Sequence, residues 1–96
     1  MSAYLLVDTR IHDPETYEQY KVAVVPLIER HGGEYLVRGG AIDPAETDLW
    51  TPTRLVLIRF PDRLFARAFL DDPDYALVKP LRERSADCTL AIVDGI

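Results

Sequence analysis

Apolar and polar positions alternate with a period of two over residues 3–11, AYLLVDTRI. Leu5, Val7, Thr9 and Ile11 fall on one face of an extended strand, and Tyr4, Leu6, Asp8 and Arg10 fall on the other. The period then changes. Asp13-Pro14 reads as a helix start, with Asp as N-cap, Pro at the first helical position and Glu15 in the first turn. Tyr17, Tyr20, Val24, Leu27, Ile28 and His31 recur at helical spacing and make one apolar stripe, predicting a helix over 14–30 that Pro26 kinks. Gly32 is placed to close it in the left-handed conformation. EYLVR (34–38) reads as a second strand that Gly39-Gly40 ends or bulges.

Residues 41–53 show no period and carry Pro44, Trp50 and Pro52. So long a loop in so short a chain points to function or to an interface. RLVLIRF (54–60) is a third strand, stopped by Pro61. Asp62 caps a helix over 63–71, with Phe65, Ala68 and Phe69 facing inward. Asp72-Pro73 opens a short helix carrying Tyr75 and Ala76, which Pro80 is expected to break, leaving LRER as a final turn. DCTLAIVD (87–94) is the fourth strand. The order βαββαβ is that of a ferredoxin-like α+β fold, a four-stranded antiparallel sheet with its helices on one face. The bare face is not polar: one of the sets Leu55, Leu57, Arg59 and Val56, Ile58, Phe60 must lie on it, beside Leu6. Apolar sheet faces are seldom left in water. The expectation is therefore a homodimer packed sheet to sheet. The competing arrangement is a monomer whose 41–53 loop and Trp50 cover that face.

Composition narrows the partners. The 96 residues suffice for one domain, 1–96, and a domain so small often gains stability by association. Net charge is −5 and the Lys and Arg residues are scattered, which argues against nucleic acid as a partner. No apolar run approaches the length of a membrane span, and the first residues do not read as a signal peptide. The single cysteine, Cys88, reads as a small core residue in a reducing compartment, so a cytoplasmic location is expected.

Three stretches together resemble a known family: YLLVDTRIHDPETYEQYK at the start, HGGEYLVRGG in the middle, and RLVLIRFPD with ARAFLDDPDYALVKPLRERS in the second half. The chain resembles, over essentially its whole length, the uncharacterised bacterial family called domain of unknown function 1330. The resemblance implies the dimeric α+β barrel superfamily, with a pocket between sheet and helices or at the dimer face. It implies no particular reaction. Superfamily relatives include cofactor-free monooxygenases, haem-degrading oxygenases, lactone isomerases and ligand-sensing domains, an analogy of fold alone.

The chemistry-bearing residues are few. His31, on the apolar stripe, is a candidate acid or base, or a helix-end residue bonded to a carbonyl. Asp8, a carboxylate within a strand, is a candidate base or an ion-pair partner. Arg38, just before two glycines, is a candidate fork for a carboxylate or enolate oxygen, or again an ion pair. Asp8, His31 and Arg38 form the candidate catalytic set. Tyr20, Arg59, Trp50, Tyr75 and Arg82 are candidate binding residues, and Arg54 extends the possible basic cluster. No metal-ligand spacing, phosphate loop or nucleophile motif is present, so neither metal nor cofactor is expected. Two functions follow. One is cofactor-independent acid–base chemistry, of isomerase, cyclase or monooxygenase type, on a small anionic or enolisable metabolite. The other is a non-catalytic ligand-binding or structural dimer.

Overall fold

The computed structural model describes residues 1–96. Its elements are β1 (Ala3–Ile11), α1 (Pro14–Arg30), β2 (Glu34–Arg38), β3 (Leu55–Phe60), α2 (Arg63–Asp71), α3 (Pro73–Ser85) and β4 (Ala86–Asp94). They form one antiparallel sheet of order β2-β3-β1-β4. The expected βαββαβ order and ferredoxin-like α+β fold are what the chain adopts, with α2 and α3 filling the second helical place. No helix is long and apolar enough to cross a membrane.

Each helix starts where a short acid can take its unpaired amides. Asp13 accepts from the amide and hydroxyl of Thr16, Asp62 from the amides of Leu64 and Phe65, and Asp72 from the amide of Asp74. Gly32 follows α1 at φ +76°, a conformation that costs a residue with a Cβ about 1–2 kcal/mol.

The core lies between sheet and helices. Leu5, Val7 and Thr9 of β1 and Val56, Ile58 and Phe60 of β3 are buried on the helix side. Tyr17, Tyr20, Val24, Leu27 and Ile28 meet them as the expected stripe. Phe69 ties the layers together, with its ring 5.8 Å from Phe60 and 4.7 Å from Tyr75.

Two local expectations fail. Pro80 does not break a helix: α3 runs on to Ser85 with Pro80 inside it. Pro80 and Ala76 both face solvent, so the carbonyl that loses its partner is left to water rather than to a dry core. In α2 the inward residues are Ala66 and Phe69, while Ala68 is exposed and Phe65 is 45% exposed. Burial here follows a spacing of three, set by the way this short helix lies against its neighbours. Tyr75 and Ala76 lie in α3 as expected, Tyr75 buried and Ala76 facing solvent.

Candidate functional site

The strand registers decide which chemical groups meet. Thr9 lies opposite Cys88, Arg38 opposite Val56, and the amide of Gly39 bonds to Leu55 O at 2.8 Å. The end of β1, the end of β2, the start of β3 and the start of β4 therefore share one end of the sheet, together with the start of α1 and the end of α3. Between the helices and the sheet at this end is a cavity of ≈ 40 Å³, room for a few waters. Its walls are largely apolar, with Leu5, Val24, Val56, Ile58 and Phe69 among them.

The titratable groups that line it are four tyrosines (Tyr17, Tyr20, Tyr35, Tyr75), Lys21 and three arginines (Arg38, Arg54, Arg82); no carboxylate or imidazole does. Arg38 stacks on Tyr35, its guanidinium carbon 4.6 Å from the ring centroid, and donates to Lys21 O at 3.3 Å. Arg54 donates to the Tyr17 hydroxyl at 3.2 Å. Nε of Arg82 is buried and has no hydrogen-bond partner. None of the three arginines pairs with an acid. The hydroxyls of Tyr20 and Tyr75 lie 3.0 Å apart. Burial, reinforced by the Tyr75 hydroxyl, pushes the Tyr20 phenol far above its ordinary pKa. Tyr20 is therefore a hydrogen-bond donor at any physiological pH.

Asp8, His31 and Arg38 do not converge. Asp8 is at the cavity's end of the sheet but on the opposite, bare face. Its Oδ2 accepts from Trp50 Nε1 at 2.8 Å, and its Oδ1 from the amides of Thr53 and Arg54 at 2.9 and 3.0 Å. Partial burial would raise the Asp8 pKa, but the bonds from Arg54, Thr53 and Trp50 outweigh it and hold the carboxyl below its usual value. It anchors the return of the loop into β3. Beside it is an open recess of ≈ 400 Å³ reached by Arg10, Trp50 and Asp87.

His31 is at the far end of the molecule, where its Nε2 lies 2.7 Å from Asp72, which also accepts from Arg30 at 3.0 Å. The bonds from His31, the Asp74 amide and Arg30 bring the Asp72 carboxyl down to about 2. Arg59 is spent on a cross-strand pair with Glu34 at 2.6 Å on the bare face. Trp50 sits on that face too, 50% exposed. Of the residues singled out from sequence, the cavity thus gathers Arg38, Tyr20, Tyr75 and Arg82. It leaves Asp8, His31, Arg59 and Trp50 elsewhere.

The sequence reading passed over Tyr17, Lys21 and Tyr35 as site residues and left Arg54 in the background. The signal for Arg54 was present, because it extends the alternation Val56, Ile58, Phe60 onto the helix face. Tyr35 and Arg38 share that face only because β2 bulges between Tyr35 and Val37. The backbone also makes room. Gly39 has φ +71°, and a Cβ there would lie 2.7 Å from Nε of Arg54, so its bare backbone is what admits the guanidinium.

The family signature described as Domain of unknown function (DUF1330) matches residues 2–96. The chain belongs to that family. No curated protein matches the sequence. Among solved structures, this DUF1330 chain is similar to the protein of unknown function RPA0582 from Rhodopseudomonas palustris. That match has 17% identity and TM-score 0.79, covering 99% of this chain and 82% of that one. It is similar also to SnoaB, a cofactor-independent oxygenase from Streptomyces nogalater, at 11% identity and TM-score 0.70, covering 99% and 93%. A conserved protein from Methanosarcina mazei Go1 shares the fold at 17% identity and TM-score 0.59, covering 100% and 95%. At these identities the likeness is one of fold.

Proposed function

We propose that the chain is a homodimer joined through its bare sheet face, and that the cavity in each subunit holds a small organic anion whose charged form it stabilises. The anion is a carboxylate or the enolate of an enolisable carbonyl compound. The observation that carries this is the gathering of Arg38, Arg54 and Arg82 at one apolar cavity with no acid beside them, in a chain whose net charge is −5. An unpaired cation held against apolar walls is costly unless a partner arrives. A fixed set of N–H and O–H donors is what a developing oxyanion needs. SnoaB, by its description, works without a cofactor on this fold, which suits a site built from donors alone. In this reading Asp8 and His31 hold structure, and any proton moved in the cavity passes through a tyrosine or the substrate itself. The free space admits a small acid as it stands. A ring-sized one requires Arg38, exposed at the mouth, to swing out.

The dimer follows from the bare face. Leu6, Leu55, Leu57, Val37 and Ala91 lie on it with Val93, which is 52% exposed. The 41–53 loop reaches it only through Trp50 at the Asp8 end. A lone thiol packed against the core also suits a reducing, cytoplasmic setting.

The test is a thermal-shift series with acetate, butyrate and benzoate against acetamide, butyramide and benzamide, with the particle mass measured by sedimentation. The reading expects stabilisation by the acids alone and a mass of two chains. Equal response to acid and amide would overturn the anion site, and a stable single-chain mass would overturn the dimer.

A further inference from the structure

The cavity has two unlike sides. Toward β2, Arg38 is exposed and Arg54 is already engaged with Tyr17. Toward β4, the structure holds its one buried side-chain polar atom with no hydrogen bond, Nε of Arg82. Buried donors are almost always satisfied, and each exception calls for a reason. The surroundings supply one. The rest of the Arg82 guanidinium is close enough to Tyr75 and Cys88 to donate to them, and Tyr20 is within electrostatic reach; the hydroxyls of Tyr20 and Tyr75 are 3.0 Å apart. Two hydroxyls that face each other use one of their two hydrogens between them, so the second remains to be given. Tyr75 is 2% exposed and Tyr20 8%, which leaves that hydrogen little water to meet. Arg82 and Leu90 also border a second, open recess of ≈ 550 Å³ at the edge of β4, shared with Lys79 and Asp87. The Arg82 side chain thus lies between that open recess and the cavity.

We infer that Arg82 is the specificity-determining anchor of this site. One oxygen of a carboxylate or enolate takes Nε–H of Arg82 and the free hydroxyl hydrogen of the Tyr20–Tyr75 pair. The apolar body of the molecule then points back along Val24, Val56 and Ile58. This rests on the anion reading above and adds where the charge sits. The class selected is a singly charged oxyanion with an apolar remainder. A neutral amide offers a weaker acceptor, and a phosphate brings more oxygens than these donors can meet. Arg38 and Arg54 serve as the mouth on the other side.

The test titrates the protein with benzoate while following the Nε–H resonances of its arginines by NMR, with benzamide as control. It then repeats the titration on Arg82→Met, Tyr75→Phe and Arg54→Met. The expected result is that benzoate moves the Arg82 Nε–H signal downfield most, and that Arg82→Met weakens benzoate by about ten- to a hundredfold. Tyr75→Phe weakens it less, and Arg54→Met least. If benzoate binds but Arg54→Met abolishes binding while Arg82→Met does not, the anchor is wrong and the anion site stands. Should benzoate and benzamide behave alike in the wild type, the anion reading itself falls. Where Arg82→Met does not fold, the wild-type Arg82 signal alone decides: unmoved by saturating benzoate, it overturns the proposal.

Discussion

The two ends of the helix layer handle charge in opposite ways. At the end where α1 stops and α3 starts, cations and carboxylates meet directly: Arg30 meets Asp72 and Asp74 at 3.0 and 2.8 Å, and His31 meets Asp72 at 2.7 Å beside the ring of Phe69. At the end where α1 starts and α3 stops, three arginines gather at a cavity with aromatic rings and hydroxyls for company and no acid. Both ends are built from the same two helices and the same sheet. The first arrangement is what a chain does to stay folded. The second leaves cations beside apolar walls with no acid to meet them, an arrangement that costs stability unless a partner arrives.

The largest blow to the closed end is Phe60→Ala. Phe60 is fully buried and stacked on Phe69, so denaturant unfolding should show a loss of about 3–5 kcal/mol. A loss near that of a surface residue would mean that this end is not the stable one. Next is Gly39→Ala at the open end. The left-handed backbone costs about 1–2 kcal/mol, and the new methyl drives Arg54 from its place. Anion binding should therefore fall along with stability, and a variant that loses stability but binds normally would detach Arg54 from the site.

Asp8→Asn comes third. It removes one acceptor from the clamp on Trp50, Thr53 and Arg54, worth about 1 kcal/mol after allowance for its solvent exposure. A parallel drop in benzoate affinity would show that the bare face positions Arg54 across the sheet. The mildest test at neutral pH is acid. The Asp72 carboxyl sits at about 2 in the folded chain against roughly 3.9 unfolded. Its contribution is complete above the higher value and is lost as pH falls through the lower one. Stability measured against pH should fall between about 4 and 2, and Asp72→Asn should flatten that fall. An unchanged profile would mean that the His31–Arg30–Asp72 cluster does little.

Much of this was legible in the amino-acid order. The alternation of β1, the 14–30 stripe and the Asp-Pro caps are local signals, and the fold follows from them because short strands and amphipathic helices have few ways to bury one face each. What stayed hidden depends on atoms far apart in sequence. Asp8 looks like a base because a carboxylate is rare in a strand. Only the return of the loop 45 residues later shows its lone pairs taken by two amides and an indole. The partner of His31 was equally hidden, because Asp72 is brought against it only by the packing of α3. Arg38 reaches the cavity side of the sheet only because a bulge earlier in β2 shifts the register between Tyr35 and Val37, which the strand pattern alone does not show. Pro80 misled in the other direction, since a solvent-facing carbonyl tolerates the missing N–H.

The most direct check on the contrast between the ends is the melting temperature of Arg82→Met beside the wild type, both without ligand. If Arg82 is held in readiness for an anion, replacing it with an uncharged chain of similar reach leaves the melting temperature equal or raises it. A fall of about 4–8 °C, the equivalent of about 1 kcal/mol in a domain of this size, would mean that the arginine serves the fold and would contradict the account.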